Sequence, residues 1–204
     1  MGDYVVHIVD DEEPVRKSLA FLLTMAGFTV RVHESATSFL ALAPGIGKGC
    51  LVTDLRMPDM SGVDLLTRLR AARVTMPAIV ITGHGDVPMA VAAMKSGAFD
   101  FIEKPFEDTV LIEAIGRAAE RIGETPAAAE DGPAVLSRLD QLTERERQVL
   151  SAVVAGLPNK TIAYDLNISP RTVEVHRANV MAKMQAKSLP ELVRMTLAAG
   201  LGTS

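Results

Sequence analysis

The sequence is poor in the residue types that build disulfide frameworks and zinc centres. It has one cysteine, four histidines and no tryptophan. A single cysteine excludes an internal disulfide, and the histidines are too scattered for a zinc site. The chain also lacks an apolar run near the ~18 residues of a membrane helix, and its first residues lack the basic segment of a secretory signal. We therefore expect a cytoplasmic protein without membrane association.

Charge is divided unevenly along the 204 residues. The overall composition, 48% hydrophobic and 23% charged, is that of an ordinary globular protein. Residues 1–124 carry 12 Lys and Arg against 17 Asp and Glu, whereas residues 125–204 carry 9 against 8. Within residues 160–204 the balance is 6 basic to 3 acidic side chains. An acidic front and a mildly basic tail indicate two modules with different partners.

Short apolar segments alternate with amphipathic ones over residues 1–122. Segments rich in β-branched residues are predicted as strands, namely Tyr4–Val9, Thr29–His33, Cys50–Asp54, Ala78–Thr82 and Asp100–Glu103. Segments with helical spacing or helix-start signals are predicted as helices, namely Pro14–Met25, Ser61–Ala72, Val87–Ser96 and Asp108–Gly123. Strands that are apolar on both faces are typical of a parallel sheet covered by helices. We predict an α/β (βα)5 doubly wound sheet for residues 1–122.

The remainder of the chain follows a different pattern. Residues 123–138 are predicted as a linker, because Pro126, Gly132 and Pro133 interrupt regular structure. Helix-start signals then recur, namely Thr143-x-x-Glu146, Asn159, Ser169-Pro170 and Ser188-x-x-Glu191. Residues 139–204 are therefore predicted as a small all-α domain.

Polar side chains stand at the carboxyl ends of the predicted strands. They are Asp10 and Asp11 after the first strand, Asp54 on the third, Thr82 on the fourth, and Glu103 and Lys104 on the fifth. Because ligands bind at this edge of parallel α/β sheets, these side chains are expected to converge. Three close carboxylates repel one another. A Mg²⁺ ion, which takes carboxylate, water and phosphate oxygens, would stabilise them.

Such a cluster suits phosphoryl transfer. An aspartate can act as the nucleophile and form an aspartyl phosphate. The metal ion and Lys104 would neutralise the phosphoryl oxygens, and Thr82 would donate a hydrogen bond to one of them. The simpler interpretation is that each aspartate only caps the loop or helix after its strand. It suits one aspartate better than the whole set on successive strand ends.

Four motifs in this region resemble those of receiver domains. They are IVDDEEPVR at 8–16, DLRMPDMSG at 54–62, TGH at 82–84 and EKPF at 103–106. The resemblance spans residues 4–122 and implies that Asp54 accepts a phosphoryl group from the phosphohistidine of a sensor kinase. It also implies a Mg²⁺ ion, or Mn²⁺ in its place, held by Asp11, Asp54 and the backbone carbonyl of Arg56, with Asp10 acting through water.

The same resemblance implies how phosphorylation is transmitted. Thr82 and Phe101 would be the switch pair, in which Thr82 moves toward the phosphate and Phe101 rotates into the space behind it. Val91, Lys95 and Phe101 would lie in the dimer interface of the phosphorylated form. Dimerisation would then present two DNA-binding helices about one DNA turn apart.

Three further expectations concern residues near the pocket. Arg56 and His84 would flank it and tune the hydrolysis of the acyl phosphate. The Lys104–Pro105 peptide is expected to be cis, as the resemblance implies. Cys50, inside the third strand, is expected to be a small buried apolar side chain.

The helical tail contains two helices joined by a tight turn, predicted at Asn159–Leu166 and Pro170–Gln185. Periodicity alone suits a generic helical hairpin with a solvated face. Three motifs, LTERERQVL at 142–150, GLPNK at 156–160 and TVEVHR at 172–177, resemble the LuxR-type helix-turn-helix family. In that family the second helix would enter the major groove of DNA.

The resemblance implies a set of DNA-binding residues. They are Lys160, Arg171, Thr172, Glu174, Val175, His176, Arg177, Asn179 and Lys183. Lysines, including Lys187, would contact phosphates, which position the protein without specifying sequence. Glu174 departs from the lysine of many members; it can accept a hydrogen bond from cytosine N4 or pair with a neighbour.

The predicted function is a phosphorylation-activated transcriptional regulator that turns over no free substrate. The whole-length order of motifs resembles response regulators that activate nitrogen-fixation genes. This implies an oxygen-sensing, haem-containing sensor histidine kinase as partner, with no haem in this chain. Promoter DNA, RNA polymerase and a second copy of the chain are the other implied partners.

Two alternatives belong to other classes of protein. A phosphatase with an aspartate nucleophile needs a second acid two residues later, where this chain has Arg56. Sustained turnover of a phosphate ester with Mg²⁺ would favour it. The other alternative is a receiver whose tail binds protein rather than DNA.

Overall fold

The first 122 residues fold around a five-stranded parallel sheet. In the computed structural model, which describes residues 4–83, 86–122 and 132–201, the strands are β1 Val5–Val9, β2 Thr29–His33, β3 Gly49–Asp54, β4 Ala78–Thr82 and β5 Asp100–Glu103. All neighbours are parallel, and the order is β2-β1-β3-β4-β5. This is a doubly wound order, with the change of direction between β1 and β3. The predicted fold class is confirmed.

Within the described residues one helix follows each strand. They are α1 Glu13–Met25, α2 Ala36–Leu42, α3 Gly62–Ala71, α4 Val87–Lys95 and α5 Asp108–Glu120, with a short 3₁₀ turn, Ala43–Gly45, after α2. Helix α2 has no predicted counterpart in the sequence, because seven residues with two buried side chains give too short a periodic pattern. Its start is fixed by Ser35, whose Oγ accepts a hydrogen bond from the Ser38 N–H.

The main core lies between one face of the sheet and helices α1 and α5. Buried side chains of β1, β3 and β4 pack there against leucines, isoleucines and alanines of the two helices. Cys50 belongs to this core, and burial raises the pKa of its thiol to about 12, which confirms the expected apolar role. Strand β2 departs from the expectation of strands apolar on both faces. It is an edge strand, and three of its five residues are exposed.

Two histidines meet on the opposite face of the sheet. His7 of β1 is buried, and its Nδ1 lies 3.0 Å from Nε2 of the half-buried His33. Their rings are stacked at 5.2 Å, and Phe39 of α2 packs against both. Burial, followed by the effects of His33 and Arg31, lowers the pKa of His7 from 6.5 to about 4. The folded chain therefore keeps His7 neutral.

We expect stability to fall with acidification through this residue. The ordinary pKa of 6.5 applies in the unfolded chain and about 4 in the folded chain. Between these values the unfolded chain binds a proton that the folded chain does not, so stability present above pH 6.5 is lost as pH falls toward 4. The loss between pH 7 and pH 5 should be about 2 kcal/mol, measured by urea unfolding. His7→Leu should remove this contribution, while His33, whose pKa burial also lowers, would still contribute; an undiminished loss in that variant would assign the effect elsewhere.

The described residues 132–201 fold into helices alone. They are α6 Gly132–Asp140, α7 Glu144–Val154, α8 Asn159–Asp165, α9 Pro170–Met184 and α10 Leu189–Ala198. The chain divides into two compact units, one with the sheet and α1, α2, α3 and α5, the other with α6–α10 and residues 86–95. No helix in the described ranges has the length and apolarity that would let it cross a membrane.

Helix α6 shortens the predicted linker. It begins at Gly132, inside the 123–138 stretch, and its side chains Val135 and Leu139 are buried in a core with residues of α7, α9 and α10. These apolar residues at i and i+4 form one helical face, which outweighs the turn signal of Gly132 and Pro133. The linker prediction for residues 132–138 is wrong, and residues 123–131 lie outside the described part of the chain.

The predicted helix starts are largely confirmed. Thr143 and Glu146 form the full capping box of α7, and Ser169 Oγ accepts from the Thr172 N–H of α9. Ser188 caps α10, but the Glu191 carboxylate accepts from the Lys187 N–H instead of closing a box. Asn159 is not a cap. Pro158 occupies that position in α8, and Asn159 is the first helical residue.

Candidate acidic pocket and DNA-binding helices

Asp10, Asp54 and Lys104 meet at the carboxyl edge of the sheet. Strands β1 and β3 are neighbours, so Asp10, which follows β1, and Asp54, the last residue of β3, lie side by side. Lys104 follows β5, and its Nζ lies 3.4 Å from Asp10 Oδ2 and 3.2 Å from Asp54 Oδ1. Asp10 is 1% exposed and Asp54 9%. Two buried carboxylates thus share one ammonium, and the cluster retains a formal negative charge.

Backbone hydrogen bonds fix the orientation of Asp54. Its Oδ2 accepts from the Arg56 N–H at 2.6 Å, while Oδ1 faces Lys104. The loop then folds back, and the Gly62 N–H donates to Leu55 O at 2.9 Å. A Cβ on Gly62 would lie 2.5 Å from the Asp54 carbonyl oxygen. Gly62 is therefore part of the site; in the sequence it is the last residue of the DLRMPDMSG motif and stands at the first position of a helix.

Asp10 is a buried carboxyl group held by hydrogen bonds. Its Oδ1 accepts from the Glu12 N–H at 2.9 Å, and Arg16 Nη1 donates to its backbone carbonyl at 2.7 Å. Burial raises the pKa of the Asp10 carboxyl, and the Glu12 N–H and Lys104 act in the opposite direction. A cation placed here would lower the free energy of a carboxylate that water reaches poorly.

The other predicted pocket residues occupy different environments. Thr82 is buried at the end of β4, and its backbone carbonyl accepts from the Lys104 N–H at 2.7 Å. Phe101 is half-buried on β5, beside Val80. Asp11 is exposed to solvent. The Lys104–Pro105 peptide is cis, as expected, and His84 lies outside the described residues.

The donor set fits a hard divalent cation. Among residues 4–83, 86–122 and 132–201, no three His, Cys, Asp or Glu side chains stand close enough to share a metal ion. The expected convergence of three carboxylates is therefore wrong, because Asp10 and Asp54 meet at Lys104 whereas Asp11 is exposed to solvent. Asp10 and Asp54 with Lys104 leave one net negative charge, and the adjacent Asp11 adds a second. Carboxylate and carbonyl oxygens without histidine or thiolate suit Mg²⁺ or Mn²⁺ rather than zinc or copper.

Helices α8 and α9 form a helix-turn-helix. Ile162, Ala163 and Val173 are buried with Val149 and Val153 of α7. Leu166 and Ile168 are partly buried there, whereas Val180 belongs to the adjoining cluster with α6 and α10. Asn167 adopts the left-handed conformation in the connecting turn, which asparagine tolerates better than most residues.

Five of the predicted DNA-binding side chains are exposed, namely Lys160, Arg171, Glu174, Val175 and Asn179. Four are half-buried, namely Thr172, His176, Arg177 and Lys183. Of the two interpretations of Glu174, the structure shows the neighbour pair: Arg171 Nη1 lies 3.1 Å from Glu174 Oε2. In the described residues, Nδ1 of His176 is buried and has no hydrogen-bond partner.

Two cations of α9 are bound inside the domain. Arg177 Nη1 donates to Asn159 Oδ1 of α8 at 2.7 Å. Lys183 Nζ lies 2.7 Å from the buried Glu146 carboxylate of α7 and also donates to Gln141 O. Burial lowers the pKa of Arg177, whereas the negative charge of Glu174 acts to raise it. The partners are 18 and 37 residues away in sequence, so no local pattern predicts these bonds.

Comparison with known proteins matches two parts of the chain to families. Residues 6–116 match the family described as "Response regulator receiver domain". Residues 140–196 match "Bacterial regulatory proteins, luxR family". This chain belongs to the response regulator family. Mg²⁺ binding at the acidic pocket is the usual property of its receiver domain.

Several proteins that share one name are similar to this response regulator over its whole length. It is 71% identical over 204 residues to "Transcriptional regulatory protein FixJ" of Rhizobium meliloti (strain 1021), with 100% of both chains covered. It is 56% identical over 200 residues to the protein of that name from Azorhizobium caulinodans, covering 96% of this chain and 93% of the relative. Among solved structures, full-length FixJ from B. japonicum matches with 46% identity, a TM-score of 0.58 and 98% of each chain covered.

These relatives decide between the classes of function. They are transcriptional regulators with receiver and DNA-binding domains, not enzymes that turn over a substrate. The response regulator is accordingly a phosphorylation-dependent transcriptional regulator, and the phosphatase alternative is set aside.

Proposed function

We propose that this response regulator accepts a phosphoryl group on Asp54 from a sensor histidine kinase, dimerises, and binds promoter DNA to activate genes of the nitrogen-fixation type. The observation that carries the proposal is the buried Asp10–Lys104–Asp54 cluster at the sheet edge. A carboxylate with one oxygen on a backbone N–H and the other beside an ammonium is an oriented nucleophile.

The chain's own residues would position the transfer. An oxygen of Asp54 attacks the phosphorus of the phosphohistidine; a P–O bond forms, the P–N bond breaks, and the imidazole takes the electron pair. Lys104 neutralises negative charge on the transferred group, and the Thr82 hydroxyl donates to one of its oxygens. Asp11, Asp54 and the Arg56 carbonyl would hold Mg²⁺ or Mn²⁺, with Asp10 through water. When bound, the ion supplies further neutralisation of the phosphoryl oxygens.

The signal would pass from Thr82 to Phe101. Thr82 pairs with Glu103 in the sheet and accepts a hydrogen bond from the Lys104 N–H, and the half-buried Phe101 lies on the same β4–β5 ladder. We propose Val91, Lys95 and Phe101 as dimer-interface residues. In the single chain Val91 is buried and Lys95 is half-buried.

The implied partners follow from the similarity over the whole chain. We propose a FixL-like kinase, oxygen-sensing and haem-containing, as the phosphodonor, and RNA polymerase as a contact at the promoter. This chain itself would bind no haem. A regulator that binds promoter DNA works in the bacterial cytoplasm.

DNA binding should be steeply salt-dependent. The exposed Lys160 and Arg171 stand on α8 and the start of α9, the two helix-turn-helix elements. For a phosphate contact, log K falls against log salt concentration with a slope of about −0.9 per contact. We expect Lys160→Gln to weaken binding of a duplex selected by the wild-type chain from a randomised pool, and to reduce that slope by about 0.9 per bound chain. Fluorescence anisotropy across a salt series measures both.

The matched control is Lys17→Gln on α1, an exposed lysine paired with Glu13. It should leave affinity and slope unchanged. If the wild-type chain, treated with acetyl phosphate and Mg²⁺, binds no DNA or binds it independently of salt, the tail is a protein-binding module instead.

A further inference from the structure

Arg177 faces the interior of the helical unit although it stands on the proposed recognition helix. Its guanidinium donates to Asn159 Oδ1 at 2.7 Å. With Val153 and Leu189 it lines a small cavity bounded by α7, α9 and α10. The adjacent Glu174 and Val175 are exposed by contrast. Within one turn of this helix, Glu174 and Val175 thus face solvent, whereas the Arg177 guanidinium faces the interior of the helical unit.

We infer that Arg177 is a positioning residue: its bond to Asn159 sets the recognition helix α9 against α8 and so controls sequence discrimination, without contacting DNA. This inference rests on the proposed DNA binding and deepens it. Asn159 is available for the bond because Pro158, not Asn159, occupies the capping position of α8. A planar guanidinium bonded to an amide oxygen fixes direction as well as distance.

The bond joins the elements whose relative placement matters. In helix-turn-helix proteins the second helix reads base edges while the first crosses the DNA backbone. Base contacts need donor–acceptor distances within a few tenths of an ångström, whereas attraction to phosphates tolerates displacement. Loosening α9 should therefore cost binding to the preferred sequence more than binding to arbitrary DNA. The slope against salt should not change, since no phosphate contact is lost.

The experiment compares full-length variants on two duplexes, the wild-type-selected one and a scrambled duplex of equal composition. The chain is treated with acetyl phosphate and Mg²⁺, and circular dichroism confirms folding at the assay temperature. Arg177→Met keeps the apolar stem and Asn159→Leu removes the acceptor. Each should lower the ratio of the two affinities about ten-fold, the size of one hydrogen bond to a charged group. The double variant should lose no more than either single one.

Two variants separate positioning from contact. Arg177→Lys keeps the charge but loses the planar fork, so it should lose discrimination as Arg177→Met does; a phosphate contact would survive it. Asn159→Asp keeps an acceptor for Arg177, so the affinity ratio should stay within a few-fold of the wild-type value. Arg171→Met, exposed on the same helix, supplies the slope change expected of a true contact.

The inference is overturned if Arg177→Met lowers the salt slope as Arg171→Met does, because Arg177 would then bind phosphate. It is also overturned if the folded variants keep the wild-type ratio, because the bond would then serve stability alone. If the wild-type chain prefers neither duplex, the DNA-binding proposal fails first, and that failure is visible without any variant.

Discussion

Asp54→Asn should abolish covalent phosphorylation and the dimerisation that depends on it. The amide cannot attack phosphorus as a carboxylate does, and the bonds of the carboxylate to the Arg56 N–H and to Lys104 mark it as the oriented nucleophile. After incubation with acetyl phosphate and Mg²⁺, the intact mass of the wild-type chain should rise by one phosphoryl group, and that of the variant should not. Size-exclusion chromatography with light scattering should show a dimer for the wild-type chain only.

Asp108→Asn is the matched control for this substitution. Asp108 is an exposed aspartate at the start of α5 and takes no part in the pocket. It should gain the phosphoryl group and dimerise as the wild-type chain does. Uptake of phosphate by Asp54→Asn at the wild-type rate would place the acceptor elsewhere and remove the basis of the proposed function.

Gly62→Ala should destabilise the receiver unit and slow phosphorylation. The added Cβ would stand 2.5 Å from the Asp54 carbonyl oxygen, a distance that backbone atoms cannot accommodate without moving. Overpacking of this kind costs about 2 kcal/mol, to be measured by urea unfolding. Because the displaced atom belongs to the acceptor residue, the rate of phosphorylation by acetyl phosphate should fall as well.

Gly116→Ala tests the same chemical change without the collision. Gly116 lies within α5 and has no heavy atom within 4 Å of the added Cβ. Alanine is the better helix former by about 0.5–1 kcal/mol, so this variant should be slightly more stable and phosphorylate normally. Equal behaviour of the two variants would show that the loop at Gly62 moves freely and does not constrain Asp54.

The sheet and its pocket could be predicted because their signals are local. Strands β1, β3 and β4 are short, largely buried and mostly apolar, and polar residues appear at the positions where these strands end. Topology alone then brings Asp10 beside Asp54. The contact of Lys104 with both aspartates also follows, since β5 ends at the same edge.

The parts that could not be predicted depend on long-range contacts. Helix α2 is held from outside by Asp59, which accepts hydrogen bonds from the N–H and hydroxyl of Thr37. The roles of Arg177 and Lys183 depend on partners in other helices. The family resemblance assigns both side chains to DNA binding, and only the three-dimensional structure shows which groups they bind. The steric role of Gly62 could not be predicted either, because the sequence does not show which atoms a Cβ at that position would meet.

The exposed outer border of β2 has a consequence for the molecule in a crowded cell. An edge strand exposes unpaired backbone N–H and C=O groups, with which another extended chain can form hydrogen bonds. Aggregates and amyloid begin in this way. Here the strand has only five residues, and the exposed Arg31 places a charge at its centre. Two such borders brought together would set like charges against each other. Self-association through the backbone of this strand is thereby discouraged.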